Sequence, residues 1–208
     1  MTEEFLKYVD RANVHFDIIH RLGSLLLMYR TINSKMQEFE VGIKWYNEND
    51  NHRANKDRMK EAGRMLNGYR QNINELTIIG IAKSIEDLLF DFEDILNQKI
   101  HFWNDCEGYE FFTQMKIIRN LNNCIKHSKG VIKRGHPSND YLIDEAGFEE
   151  NSKVVHLNLD LEKYIYQNFS FQMDVFWDND ERENPYKDIK ENYPKIREIL
   201  IPSFMEEK

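Results

Sequence analysis

The run Lys83-Ser84-Ile85-Glu86-Asp87-Leu88-Leu89-Phe90-Asp91-Phe92-Glu93-Asp94-Ile95-Leu96 carries apolar side chains at 85, 88, 89, 92, 95 and 96. Steps of three and four residues lay one stripe along an α-helix, which repeats about every 3.6 residues. Upstream, Met59, Ala62, Met65, Leu66, Tyr69, Ile73, Leu76, Ile79 and Ile81 keep the same spacing. The pattern therefore predicts a helix from near Lys56 to Leu96, with Gly80 as the place for a kink. Phe5, Tyr8, Val9, Ala12, Phe16, Ile19, Leu22, Leu26, Met28, Tyr29 and Ile32 repeat this periodicity and predict one long amphipathic helix, or two in succession, over residues 3–36. The polar stretch from Asn47 to Asn55 between the two runs reads as a loop.

Beyond Trp103, the residues Asn104-Asp105-Cys106-Glu107-Gly108 read as a turn, and a third helix is expected from Tyr109 to Ser128, with Gly130 placed to stop it. The segment from Lys133 to Asp140 cannot continue that helix, and Tyr141-Leu142-Ile143 and Val154-Val155-His156-Leu157 read as the strands of a small β-hairpin. Asp160 then precedes a helical stripe of Leu161, Tyr164, Ile165, Phe169, Met173 and Phe176, and after an acidic turn at residues 178–183 a last helix is expected to begin at Pro185. The chain thus reads as mainly α. A bundle of long helices spans residues 1–135, and a C-terminal hairpin and helices over residues 136–208 pack on it as part of one compact unit.

Composition agrees, because nine glycines and four prolines in 208 residues are too few for a β-sandwich rich in turns or a collagenous chain, and 41% hydrophobic residues are enough for a core. No stretch approaches the roughly 20 apolar residues of a membrane span. The acidic start Met1-Thr2-Glu3-Glu4 lacks the basic opening of a signal peptide, so a cytoplasmic protein with no membrane partner is expected. Cys106 and Cys124 are too few for a disulfide framework and are expected as reduced thiols.

The net charge of −8 hides an uneven distribution. Between Lys116 and Asn139 lie Lys116, Arg119, Lys126, Lys129, Lys133 and Arg134 without one acid, whereas Tyr141 to Lys208 holds sixteen acids against eight bases. On a wheel of about 100° per residue with Arg119 at zero, Asn123 falls near 40°, His127 near 80° and Asn120 near 100°. Cys124, Ile117, Leu121, Ile125 and Ile118 lie almost opposite, so the polar face is expected to be presented to solvent. An arginine forks onto phosphate oxygens and a histidine moves protons near neutral pH, so such a face suits a phosphodiester.

The run Arg119-Asn120-Leu121-Asn122-Asn123-Cys124-Ile125-Lys126-His127-Ser128-Lys129-Gly130, late in a set of long helices, resembles the HEPN superfamily of small helical bundles. Its signature is an arginine, commonly followed by a polar residue, with a histidine several residues on. The resemblance implies a metal-independent endoribonuclease of toxin–antitoxin or phage-defence type, working as a homodimer, with an antitoxin or defence-system protein as a further partner. Arg119, Asn120 and His127 would take the catalytic positions, and Asn123, Lys126, Lys129, Lys133 and Arg134 would bind RNA. Seven residues separate Arg119 from His127, where the family's usual gap is four to six. The alternative is therefore a HEPN-like module without catalysis that binds RNA, a nucleotide or a partner protein.

Other chemistries find less support. The seven histidines form no H-x-x-x-H or His/Cys quartet, so no metal and no cofactor is expected. Glu86, Asp87, Asp91, Glu93 and Asp94 read as the solvated face of a helix rather than a magnesium site. Cys124, on the apolar face, reads as a small core residue. There is no G-x-G-x-x-G and no G-x-x-x-x-G-K-[ST], which removes the classical nucleotide-binding folds. The aromatic residues Tyr164, Tyr166, Phe169, Phe171, Phe176 and Trp177 read as packing ahead of a partner surface.

Overall fold

The computed structural model describes residues 2–179 and 182–202. Among these the chain forms seven α-helices: α1 Glu3–Gly42, α2 His52–Asp94, α3 Phe102–Asp105, α4 Phe112–Ser128, α5 Pro137–Asp144, α6 Leu161–Asp178 and α7 Tyr193–Leu200. The protein is mainly α, as its periodicity requires.

Helices α1 and α2 form a long antiparallel hairpin. Thr2 Oγ1 caps α1 by accepting from Phe5 N at 3.4 Å, and Glu3 and Glu4 in its first turn complement the helix dipole. Asn51 Oδ1 caps α2 by accepting from Ala54 N at 2.9 Å, so α2 starts inside the polar stretch that read wholly as a loop. Asn55 staples that loop: its Nδ2 donates to the carbonyls of Asn47 and Asp50, and its Oδ1 accepts from Asn47 N at 2.8 Å. No break occurs at Gly80, because the missing side chain there admits Leu25 of α1; a Cβ would stand 2.7 Å from Leu25 Cδ1. The glycine serves close helix packing, not a kink.

Val14, Ile18, Leu22 and Leu26 of α1, spaced by four residues, are fully enclosed against Ile78, Ile81, Ile85, Leu88 and Phe92 of α2. Truncating such a side chain to alanine costs about 2–5 kcal/mol. The third wall is α6, whose residues from Ile165 to Met173 are all buried, polar ones included. Buried Asn168 and Gln172 both donate to Ser84 Oγ of α2, at 2.7 and 3.0 Å, and Gln172 Nε2 also donates to Asn168 Oδ1, so their amide N–H groups find partners inside the core, while Gln172 Oε1 is enclosed without one. The segment after residue 136 therefore supplies a central helix of the core, and the hydrophobic cluster runs without a break from Val14 to Ile201. The tail aromatics Tyr166, Phe169, Phe171 and Phe176 belong to that core.

Three local expectations are corrected. No β-hairpin forms: Tyr141, Leu142 and Ile143 lie in α5, Val154–His156 is a 3-10 turn, and the extended pairing among the described residues is a single bridge, Val131 to Lys153. The reason is Pro137, whose fixed φ and missing N–H suit a first helical position, capped by His136. The last helix begins at Tyr193, with Pro194 in its first turn and Asn192 as cap, not at Pro185. Ile196 and Leu200 give that helix an apolar face to bury, whereas the 3-10 turn Lys187–Ile189 after Pro185 buries none of its residues. Residues 180 and 181 of the acidic turn lie outside the described residues. Finally, α4 starts at Phe112, because Phe111 takes a left-handed conformation with φ 61°.

On the predicted acidic face of α2, Asp87, Asp91 and Glu93 are ion-paired. Arg21 reaches Asp91 at 2.6 Å, Lys83 pairs with Asp87, and Lys99 lies 3.5 Å from Glu93. Among the described residues no helix is long and apolar enough to cross a membrane.

Candidate functional site

Helix α4 carries most of the candidate residues, and its two ends stand in different surroundings. It packs on α2, α5 and α6, so only part of its polar arc can reach solvent. Cys124, Leu121 and Ile118 fill the apolar side and are fully buried, as the wheel requires.

At the N-terminal half, the Arg119 guanidinium lies over the Phe102 ring, 4.4 Å from its centroid, and 5.7 Å from that of Trp103. It is half-buried, its Nη1 is enclosed without a hydrogen-bond partner, and Glu86 and Cys106 supply the nearby opposing charge and thiol. Desolvation pulls the guanidinium below its usual value, with Glu86 acting the other way. Asn120 is buried outright, 5% exposed, and its Nδ2 donates to Lys116 O at 2.8 Å along its own helix. The expectation of a presented Arg–Asn face is therefore corrected: neighbouring helices cover it. Lys116 is engaged as well, its Nζ 4.3 Å above the Tyr141 ring of α5.

At the C-terminal end the chain turns through two left-handed residues, Lys129 at φ 50° and Gly130 at φ 67°. The amides of both are directed at Cys124 O, so the helix closes one residue before the glycine expected to stop it. The loop then folds back on α4. Asn139 Nδ2 donates to Ser128 Oγ at 3.1 Å and to Lys133 O at 2.8 Å, and Asn123 Nδ2 donates to Ser138 Oγ at 3.1 Å. With Ser138 and Asn139 buried, these bonds latch the first turn of α5 to the last turns of α4.

That latch brings together two imidazoles that the sequence keeps nine positions apart. His127 is exposed, and its ring lies 5.6 Å from that of His136, nearly parallel at 19°. Lys126, Lys129 and Lys133 are exposed and have no acidic partner among the described residues. Arg134 differs, since its guanidinium is held by both Asp144 oxygens at 3.1 and 2.7 Å, with Glu150 at 3.7 Å. Of the six cations in the basic island, three are thus committed to protein groups, and Lys126, Lys129 and Lys133 stand free on the last turn of α4 and the loop after it.

His136 is the residue that sequence reasoning passed over. The available signal was Pro137, which marks a helix start and so makes His136 a cap instead of a loop residue. Among the described residues no three of His, Cys, Asp and Glu converge as metal ligands would. Both cysteines are free and buried, and burial pushes each thiol up to about 11. No family model, curated protein or solved structure matches the chain.

Proposed function

We propose that this protein is a metal-independent endoribonuclease of the toxin or phage-defence type that the HEPN-like run suggests. Its working surface would be the C-terminal end of α4. The observation that carries this reading is the exposed His127 at the end of α4, with Lys126, Lys129 and Lys133 on the same helix end and the loop after it, exposed and without an acidic partner among the described residues. Cations without partners attract a phosphate backbone, and an accessible imidazole can move a proton within it. In the reaction, His127 takes the proton of a ribose 2′-hydroxyl, and O2′ attacks the adjacent phosphorus. The P–O5′ bond breaks, and O5′ leaves with a proton from solvent as the imidazolium returns its own. The products are a 2′,3′-cyclic phosphate and a free 5′-hydroxyl. Lys126, Lys129 and Lys133 bind flanking phosphates. Arg119, lying on Phe102, shapes the helix from behind instead of reaching the reacting group. The same reading includes a homodimer, a cytoplasmic setting and a regulatory partner protein.

Incubation of the protein with mixed cellular RNA in excess EDTA, beside His127→Ala, tests this reading. Cyclic-phosphate ends from the wild type alone support it. A second reading is favoured by the burial of Asn120 and the anchoring of Arg119, which withhold two of the three motif residues from a ligand. On that reading the surface binds RNA without cutting it, and RNA binding that weakens with salt in the absence of cleavage by either protein would select it.

A further inference from the structure

His136 holds a position whose chemistry the motif does not anticipate. It is the N-cap of α5, and its Nδ1 accepts the backbone N–H of Ser138 at 3.3 Å. A nitrogen that accepts that hydrogen bond carries no proton of its own, so the neutral ring bears its proton on Nε2. Nε2 has no protein partner among the described residues and is not among the enclosed polar atoms. The ring is half-buried and held from two sides, by the cap below and by the His127 ring 5.6 Å away. The cap itself is fastened to α4 through Asn123–Ser138 and Asn139–Ser128. The result is an N–H donor in a fixed direction beside the His127 ring, on the helix end and loop that carry the exposed Lys126, Lys129 and Lys133. Of the acids nearby, Asp140 Oδ1 accepts from Gly135 N at 3.1 Å and Asp144 and Glu150 hold Arg134, while Glu75 of α2 sets its Oε1 against Gly130 at the end of α4.

We infer that His136 is the phosphate-oxygen donor of this site: its Nε2–H binds a non-bridging oxygen of the RNA phosphate on which His127 acts. The inference rests on the RNA reading above and assigns the two rings different work. His127 carries the proton of the reaction, whereas His136 donates a hydrogen bond from Nε2 while its Nδ1 is occupied by its own helix cap. A fixed donor aimed at charge that grows in the transition state costs no reorganisation when the charge appears. This is the role that the motif gives to Arg119, taken over by a residue that the fold and not the helix spacing brings to His127.

Two substitutions separate the cap from the donor. His136→Asn keeps the cap, since asparagine caps helices well, but its shorter amide does not reach where Nε2 stands. His136→Gln places an amide N–H near the Nε2 position while weakening the cap. The probes are a single-stranded RNA oligonucleotide in EDTA, for cleavage, and the same oligonucleotide fully 2′-O-methylated, which binds but lacks the attacking hydroxyl. The expected result is a single-turnover rate about 10²–10³-fold lower in His136→Asn, weaker binding of the methylated RNA, an unchanged shape of the pH–rate profile and an unchanged melting temperature, with His136→Gln recovering most of the rate. Wild-type rate and affinity in His136→Asn would overturn the inference, as would loss of one limb of the pH profile, which marks a proton carrier. If the wild type binds the methylated RNA without cutting the unmodified one, the nuclease reading fails; weaker binding by His136→Asn then still supports the phosphate donor. If the wild type binds neither RNA, both fall.

Discussion

The two ends of α4 carry the same kinds of residue and do different things with them. At one end Arg119 is packed on Phe102 and Trp103 and Asn120 is folded back on its own helix. At the other, His127 and three lysines face solvent, and the polar side chains behind them form a latch. A guanidinium beneath solvent and above an aromatic ring supports structure, whereas a cation without a partner is available to a ligand. The comparison teaches that a motif on one helix face is not one site until the neighbouring helices have been placed.

The largest effect should separate the two ends by kind of damage. His127→Ala is expected to lower RNA cleavage about 10²–10⁴-fold, the range for loss of a general base, with no shift of the urea midpoint. Phe102→Ala at the other end should cost about 3–5 kcal/mol of stability in the same urea titration, since that ring is buried beneath Arg119 and against Phe112 and Phe171. Equal effects of both on stability would erase the distinction.

Next comes Arg119→Ala, which should destabilise by about 1–2 kcal/mol through the lost ring contact. Arg119→Lys should not restore it, because the planar guanidinium is what stacks. A loss of cleavage with full stability would instead return Arg119 to the chemistry.

At the open end, replacing Lys126, Lys129 and Lys133 together by alanine should flatten the salt dependence of RNA binding by about two in log–log slope, at roughly 0.7 per phosphate contact for a single strand. Stability should change little, as exposed lysines without partners contribute little to it.

The smallest effect is a pH dependence of the enclosed side. Burial lifts the thiols of Cys106 and Cys124 from about 9 to about 11, so the folded protein keeps protons that the unfolded chain releases. The corresponding stability is intact below pH about 9 and is lost as pH rises through about 11. The urea midpoint should fall across that window, and Cys124→Ala should reduce the fall.

Much of the fold was legible because its signals are local. The stripes of α1, α2 and α6 follow from residue spacing, and each long helix lies close to where its apolar period places it. The misreadings share one cause. Tyr141-Leu142-Ile143 and Val154-Val155-His156-Leu157 are short apolar runs, in which strand and helix periods cannot be told apart, and Pro137 decided the first of them. Pro185 and Pro194 give the same start signal, and burial of Ile196 and Leu200 chose between them.

For the site, the sequence by itself determined that Arg119, Asn123 and His127 share one side of one helix and that cations gather around its end, because helical geometry and chain order are enough for both. Only the tertiary structure decided which of these groups meet solvent. It covered Asn120, laid Arg119 on an aromatic ring, tied Arg134 to Asp144 and brought His136 to His127. The physical reason is that exposure and partnership depend on what packs against a helix, and the residues that pack against α4 come from segments far along the chain, whose approach no spacing within α4 can encode.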